Sequence, residues 1–311
     1  MIHTSAPAKL ILFGEHASRH GKPSIVFAIN QRMHVFLKER GDEKIIINSP
    51  ELDIKGTEYP CKEPKHVVGA IKIFFEETGC ERRGFEITTK SEMKQGFGSS
   101  GAVVVATLGA LNEFFQTGIN KEKIYNLGCK TIWEVQGYGS GIDIAAATYG
   151  GIVKFLKGET PENVEFKDFP IVVGNTGFKA KSKPIIESVQ VFEKKYPEVF
   201  ESIYDNIGQL TKRALQAFKE NDLETLGELM NINHGFLYAL GVSSEILEKL
   251  VFASRKAGAL GAKLSGAGIG DNMIALASPG SEKKIAEAIR EAGGEPTVAR
   301  IDEGLKIEEV K

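Results

Sequence analysis

Four short stretches hold residues whose types and spacing could do chemistry. Lys9, Glu15 and His16 bracket the apolar run Leu10-Ile11-Leu12-Phe13, so three ionisable groups flank one short strand-like segment. Gly96-Phe97-Gly98-Ser99-Ser100-Gly101 places glycines and serines directly ahead of an apolar, helix-compatible run, residues 102–115. Asp143 follows the glycine-rich stop Gly137-Tyr138-Gly139-Ser140-Gly141 and precedes the small residues Ala145, Ala146 and Ala147. A last glycine-rich loop reads Ser265-Gly266-Ala267-Gly268-Ile269-Gly270-Asp271-Asn272.

Glycines bend the backbone where a side chain would clash, and a helix about to start leaves its first N–H groups without partners. Residues 96–101 therefore read either as an anion cradle, suited to phosphate, or as an ordinary glycine turn capping a buried helix. Asp143 reads either as a base in a confined pocket or as an N-cap aspartate. Lys9 and Glu15 read as a solvated pair at a strand end, or as charges with a job beside a buried strand.

The elements that must position these residues follow from periodicity. Residues 10–13, 24–28, 33–37 and 44–48 are rich in Val, Ile, Leu and Phe and predict strands. Residues 67–75 carry apolar side chains at helical spacing, and 85–89 alternate as a strand leading into the first glycine turn. A helix over 121–136 and a strand over 150–155 complete a β-rich first lobe carrying helices. Beyond the surface turn at Lys157-Gly158-Glu159-Thr160-Pro161 the texture changes. Residues 170–173 predict a strand, 185–257 are mostly helical, and 260–264, 273–276 and 297–301 return to strand around a helix over 281–292. The fold class is α+β in two lobes, residues 1–158 and 159–311, a size at which single cores stop growing.

Composition narrows the function classes. A formal net charge of −2 excludes the basic excess that nucleic-acid binding needs. Cys61, Cys80 and Cys129 are scattered without metal-like spacing, and an odd number argues against a disulfide scaffold, so a reducing cytoplasm is the expected setting. No run of apolar residues reaches membrane-spanning length and no signal pattern opens the chain, so neither membrane nor export is expected. No GxxxxGK[ST], HRD or DFG pattern is present, which removes P-loop and protein-kinase readings.

Taken together the motifs resemble those of the GHMP small-molecule kinases, and along most of its length the chain is similar to archaeal-type mevalonate kinases. The first family motif is matched by Ser5-Ala6-Pro7-Ala8-Lys9 with Phe13-Gly14-Glu15-His16, the second by residues 96–101, and the third by Lys263-Leu264-Ser265-Gly266-Ala267-Gly268-Ile269-Gly270. Met230-Asn231-Ile232-Asn233-His234-Gly235 and Leu240-Gly241-Val242-Ser243 also resemble mevalonate kinases. The resemblance implies a two-lobed fold with the active site in the cleft between lobes, ATP and Mg²⁺ as cofactors, and a small-molecule acceptor; it leaves a homodimer open. It implies that Asp143 takes the acceptor proton and that Lys9 holds Asp143 ionised. It implies that Lys94, Gly96, Phe97, Gly98, Ser99, Ser100 and Gly101 bind ATP, with the Ser100 hydroxyl on Mg²⁺. Acceptor-side positions are Glu15, His16, Arg19, Ser140, Gly141, Ser182, Gly266, Ala267 and Gly268.

Departures from the pattern bear on the acceptor. The glutamate that helps hold Mg²⁺ in mevalonate kinases, eleven positions before the aspartate, is Ile132 here, and the nearest carboxylate, Glu134, falls on a different helix face. Met93-Lys94-Gln95-Gly96, Gly139-Ser140-Gly141-Ile142-Asp143 and Gly268-Ile269-Gly270-Asp271 look more like phosphomevalonate kinases. Arg19-His20, Lys94 and the run Lys179, Lys181, Lys183 would suit a phosphorylated acceptor if they converge, and are otherwise solvated surface cations. Mevalonate or mevalonate 3-phosphate at the 5-hydroxyl is therefore expected, with mevalonate 5-phosphate as the alternative acceptor and a catalytically weak ligand-binding protein as the non-enzyme reading.

Overall fold

The computed structural model describes residues 1–93, 96–166 and 169–310. In chain order the strands and helices are β1 (Ile2–Phe13), β2 (Ser24–Glu39), β3 (Ile45–Ser49), β4 (Ile54–Glu58), α1 (Lys65–Thr78), β5 (Phe85–Ser91), α2 (Ser99–Phe115), α3 (Lys121–Gln136) and α4 (Ile142–Tyr149). There follow β6 (Ile152–Phe155), β7 (Glu162–Val164), β8 (Ile171–Asn175), α5 (Ser182–Lys195), α6 (Pro197–Glu220), α7 (Leu223–Ala239) and α8 (Glu245–Lys256). The chain ends with β9 (Gly261–Ser265), β10 (Asn272–Leu276), α9 (Glu282–Glu291), β11 (Glu295–Ala299) and β12 (Lys306–Val310).

These elements form two compact units, one of Met1–Lys9, Ala28–Gly151 and Asp302–Lys311, the other of Leu10–Phe27 and Ile152–Ile301. The texture change after residue 158 predicts a single cut. The chain instead passes between units within β1 and β2 and returns at residue 302, because the first strands and the last one are shared out by pairing and not by sequence order.

In the first unit the strands run β12-β1-β2-β5-β3-β4. β2 and β5 are antiparallel from Met33↔Ser91 to Glu39↔Phe85, and β3 lies parallel to β5. Helices α1, α2 and α3 share a core with this sheet, including Phe74, Phe85, Leu108 and Leu111. Helix α2 is buried from Gly101 through Asn112, which explains why it is apolar all round and not striped. The two strands expected over 24–28 and 33–37 are one continuous strand, β2. Arg32 is buried and donates to Ser5 Oγ at 2.6 Å, Asp302 at 2.7 Å and the Gly304 carbonyl at 2.7 Å, so its charge is fully met inside the sheet.

In the second unit β6 pairs antiparallel with the start of β2, Ser24↔Phe155 to Phe27↔Ile152, and β7 with β6. A separate four-stranded sheet runs β11-β8-β10-β9, with β11 and β8, β8 and β10, and β10 and β9 each antiparallel. Helices α6 to α9 cover it around Ile207, Leu237, Leu250 and Ile289. Edge strand β9 is capped by side chains where a further strand would sit. Asn231 accepts from the Ala262 N–H at 3.1 Å and donates to the Leu260 carbonyl at 3.3 Å. His234 Nδ1 accepts from the Leu264 N–H at 3.3 Å. The polar motif at 230–235 thus closes a sheet edge from helix α7. No helix among the described residues is long and apolar enough to cross a membrane.

Candidate active site

The residues singled out in the first unit converge. Lys9, near the end of that unit's part of β1, places Nζ 3.0 Å from Asp143 Oδ1. Its backbone N–H donates to the Phe97 carbonyl at 3.0 Å, which ties β1 to the first glycine turn. Gly98 has φ +80°, and a Cβ there would lie 3.0 Å from Lys9 Cε, so the turn has both the conformation and the space only glycine allows. Gly101 serves the same end on the opposite side: a Cβ at that position would meet Asp143 Cβ at 2.9 Å. The first turns of α2 and α4 therefore meet around the Lys9–Asp143 pair.

Neither helix is capped by its own N-cap residue. Gly98 is the N-cap of α2 and Gly141, at φ 88°, that of α4, and neither has a side chain to offer its first-turn N–H groups. Asp143 is in the first turn of α4, two residues beyond the N-cap Gly141 and not itself the cap, where the helix dipole favours its negative charge. Ser99 is exposed and Ser100 half-buried at the start of α2, while Phe97 is packed in the core. At α4 the Ser140 hydroxyl accepts from the Ile142 N–H at 3.4 Å, whereas the start of α2 has no side-chain cap; that start, the two hydroxyls and Lys9 are groups of a kind that suit a polyanion. Lys94 lies outside the described residues.

Ser140 and Gly141 line a pocket of about 300 Å³ together with Cys129, Lys130, Ile132, Trp133 and Gly139. Ile132 is 8% exposed and a Cβ on Gly139 would come within 2.8 Å of its Cγ2, so the position is closed by apolar packing. Burial here pushes the Cys129 thiol up to about 11, with Asp143 adding to the rise. Glu134 is ion-paired with Lys72 on α1, which confirms that it faces away. Among the described residues no cluster of three or more His, Cys, Asp or Glu forms a metal site. At the start of α2 and α4, Asp143 and the serine hydroxyls are oxygen donors that a cation could take. That set fits Mg²⁺, which takes one or two carboxylates and completes its shell with waters and substrate phosphates.

In the second unit Glu15 and His16 lie against β9 and the last glycine loop. Glu15 is 1% exposed, and its carboxylate is ion-paired with Lys263 Nζ, which also donates to the Leu264 carbonyl at 2.7 Å. Burial pushes the Lys263 ammonium below the usual lysine range and Glu15 opposes this. Lys9 and Glu15 thus each have another partner, and the reading of them as one solvated pair is set aside. His16 adopts φ 59°, rare for a side-chain-bearing residue, and its Nε2 lies 3.0 Å from the Ala267 carbonyl. Burial holds this imidazole down to about 4, so at neutral pH it is uncharged and Nε2–H donates.

The loop itself is held tightly. Gly268, at φ +92°, presses against the Val242 carbonyl, where a Cβ would come within 2.0 Å. The next N–H, of Ile269, donates to the same carbonyl at 2.7 Å and keeps that β-branched residue at φ 66°. Gly266, at φ +99°, has nothing within 4 Å of a Cβ position and stands open.

Arg19 is exposed at the end of the 3-10 turn Ala17–His20. Its neighbour His20 stacks on Tyr204 with ring centroids 3.9 Å apart and lies 3.6 Å from Glu193, so it is occupied and does not join Arg19 as a free cation. Ser182 opens α5 among Lys179, Lys181 and Lys183, all exposed. Lys263 stands in the third family motif, which assigns it no part in the site. The signal was available, since a lysine inside the apolar stretch 260–264 must find a counter-ion once buried.

The chain matches the family models for the GHMP kinases N terminal domain over residues 65–151 and for GHMP kinases C terminal over residues 214–295. It is 40% identical to the mevalonate kinase of Pyrococcus abyssi, with 100% of this chain and 99% of that protein covered. The crystal structure of L. major mevalonate kinase in complex with R-mevalonate superposes with a TM-score of 0.81 at 27% identity, covering 96% of this chain and 95% of that one. The Streptococcus pneumoniae phosphomevalonate kinase in complex with phosphomevalonate and AMPPNP shares the fold, with a TM-score of 0.85 at 20% identity over 97% of this chain and 100% of that one. On the strength of both domain matches and full-length identity, this chain belongs to the GHMP kinase family as a mevalonate-kinase-like phosphotransferase.

Proposed function

We propose that this kinase transfers the γ-phosphoryl group of ATP to the 5-hydroxyl of mevalonate. The observation that carries the reading is the Lys9–Asp143 pair at 3.0 Å, set against the uncapped start of α2. An alcohol is a weak nucleophile at neutral pH, so transfer needs proton removal at one end and charge neutralisation at the other. Asp143, 47% exposed in its side chain, is open to the hydroxyl whose proton it accepts, and the Lys9 ammonium pairs with it at 3.0 Å. The backbone N–H groups of residues 96–101 receive the phosphates, and Ser100 with Asp143 would hold Mg²⁺, which neutralises phosphate charge when bound. Acceptor choice comes from the second unit, where His16 and residues 266–268 sit. The mevalonate acceptor is supported by full-length 40% identity to the P. abyssi enzyme.

A second reading, an acceptor already carrying a phosphate, is favoured by one observation: Arg19 is exposed three residues beyond His16. A guanidinium forks onto phosphate oxygens and has little use for a neutral alcohol. Coupled ADP release with mevalonate, mevalonate 3-phosphate and mevalonate 5-phosphate side by side separates the two. Turnover on mevalonate at least about tenfold above either phosphate ester, as kcat/KM, upholds the main reading. The reverse order replaces it.

A further inference from the structure

Three contacts fasten the last glycine loop to the segment carrying Glu15 and His16. The Ser265 hydroxyl accepts from the Ile11 N–H and donates to the Ile11 carbonyl, both at 2.9 Å, reproducing with one side chain the pair of bonds a strand neighbour would make. Lys263 and Glu15 form an ion pair with both side chains at 0% exposure. The His16 imidazole reaches the Ala267 carbonyl at 3.0 Å. Residues 263 and 265 of β9 and residue 267 of the loop are thus tied at alternate positions to residues 15, 11 and 16.

The ion pair is the unusual member of this set. A hydroxyl or a neutral imidazole is cheap to bury, whereas two full charges lose several kcal/mol of hydration each and recover it only in good geometry. An apolar pair would fill the same space but would not fix direction: Lys263 Nζ bonds Glu15 and the Leu264 carbonyl together, so the ammonium sets where the strand ends relative to residue 15. That setting is passed on at once, because His16 is the next residue and is held at φ 59° between Glu15 and its own bond to Ala267. Neither charge has exposed surface with which to meet a ligand.

We propose that Glu15 and Lys263 are positioning residues for acceptor binding: their sealed pair sets the path of residues 265–270 and the pose of His16, without either touching the acceptor. This rests on the reading of the chain as a mevalonate 5-kinase. It changes the part of Glu15, which the family resemblance places facing the acceptor, from a contact to a support.

The test compares Glu15→Gln, Lys263→Met and the double variant in the full chain. Each single variant strands a buried charge and lowers the unfolding temperature, while the double variant strands none and recovers most of it. If the pair positions the loop, the recovered double variant still shows an acceptor KM raised about tenfold or more, with the ATP KM within about twofold and kcat within about threefold. Amide exchange of residues 266–270 speeds up in parallel, while that of β10 does not. A double variant that recovers stability with acceptor KM within about twofold of the parent overturns the proposal, whatever its exchange rates.

Should the double variant not fold, Glu15→Asp keeps the charge, shortens its reach by one methylene and is judged on the same KM criteria. A parent enzyme inactive on mevalonate refutes the functional reading instead. The exchange of residues 266–270 in the double variant then decides the positioning role alone: faster exchange supports it and parental exchange ends it.

Discussion

Two lysine–carboxylate pairs, one in each unit, are chemically alike and physically opposite. In the first unit Lys9 and Asp143 keep 13% and 47% of their side chains exposed; in the second, Lys263 and Glu15 keep none. An ion pair open to water is weakly coupled to folding, because solvent can stand in for either partner. A sealed pair is strongly coupled, because removing one partner leaves the other charge without hydration. Exposure also decides what each can do. Asp143 has side-chain surface open to a ligand, as the proposed base role requires, whereas Glu15 has none and can only hold what surrounds it. Sorting ionisable residues by access and not by type therefore separates the chemistry of this kinase from its scaffolding.

The sharpest way to break this contrast is to remove one charge from each pair. Asp143→Asn is expected to lower kcat by about 10³-fold or more, within or above the range general bases supply, while ATP affinity by calorimetry and the unfolding temperature stay near the parent. Unchanged turnover removes Asp143 from the base role. Lys263→Met should do the reverse at first sight, costing about 3–5 kcal/mol of stability in denaturant unfolding because Glu15 is left buried and charged. A loss under about 1 kcal/mol would mean that water reaches Glu15, and the two pairs would no longer differ in kind.

Acid sharpens the same contrast on the histidines of the second unit. His16 is held down to about 4 by burial, and His234, which lies 3.0 Å from Glu248, is lowered for the same leading reason. Unfolded, each titrates near 6.5, so between about 6.5 and 4 the unfolded chain binds more protons. Stability is therefore expected to fall as pH drops through that window, and His16→Gln should flatten part of the slope in a pH series of urea midpoints. An unaltered slope would place the titration elsewhere.

Much of the first unit was legible because its chemistry is written in short stretches. Glycines 98 and 101 predict a turn and a close approach, and the structure uses them for Lys9 and Asp143 respectively. The strand residues 10–13, the helix 102–115 and the returning strand 273–276 lie within observed elements, and the strand expected over 260–264 is β9 shifted by one residue, since periodicity and β-branching report burial directly. What stayed hidden depends on partners far along the chain. That residues 24–28 and 33–37 belong to one strand depends on Arg32, which is satisfied by Asp302 and Gly304, and β12 joins β1 with nothing local to announce the pairing. Glu15 and Lys263 are 248 positions apart. Two isolated charges in apolar surroundings signal that partners are needed without saying which.

Gly101 offers a graded test on the open pair. A methyl group there would sit 2.9 Å from Asp143 Cβ, so the two first turns must part by a few tenths of an ångström. Gly101→Ala is expected to reduce kcat about tenfold and to cost about 1–2 kcal/mol of stability, since a small misplacement of a base is felt in the transition state more than in the fold. Stability lost with full kcat would show that Asp143 tolerates displacement.

The smallest expected effect bears on the acceptor. Arg19 is exposed, and its neighbour His20 is engaged with Tyr204 and Glu193, so in the 3-10 turn the guanidinium is the cation offered to a ligand. A charge-assisted contact of this kind discriminates by charge: it favours a phosphate dianion and contributes little to a neutral hydroxyl. Arg19→Ala should therefore raise KM for mevalonate 5-phosphate about fivefold to tenfold and leave that for mevalonate within about twofold, with kcat unchanged on both. Equal shifts on both acceptors would make Arg19 part of the scaffold of the turn, and acceptor selection would then fall to His16 and residues 266–268 alone.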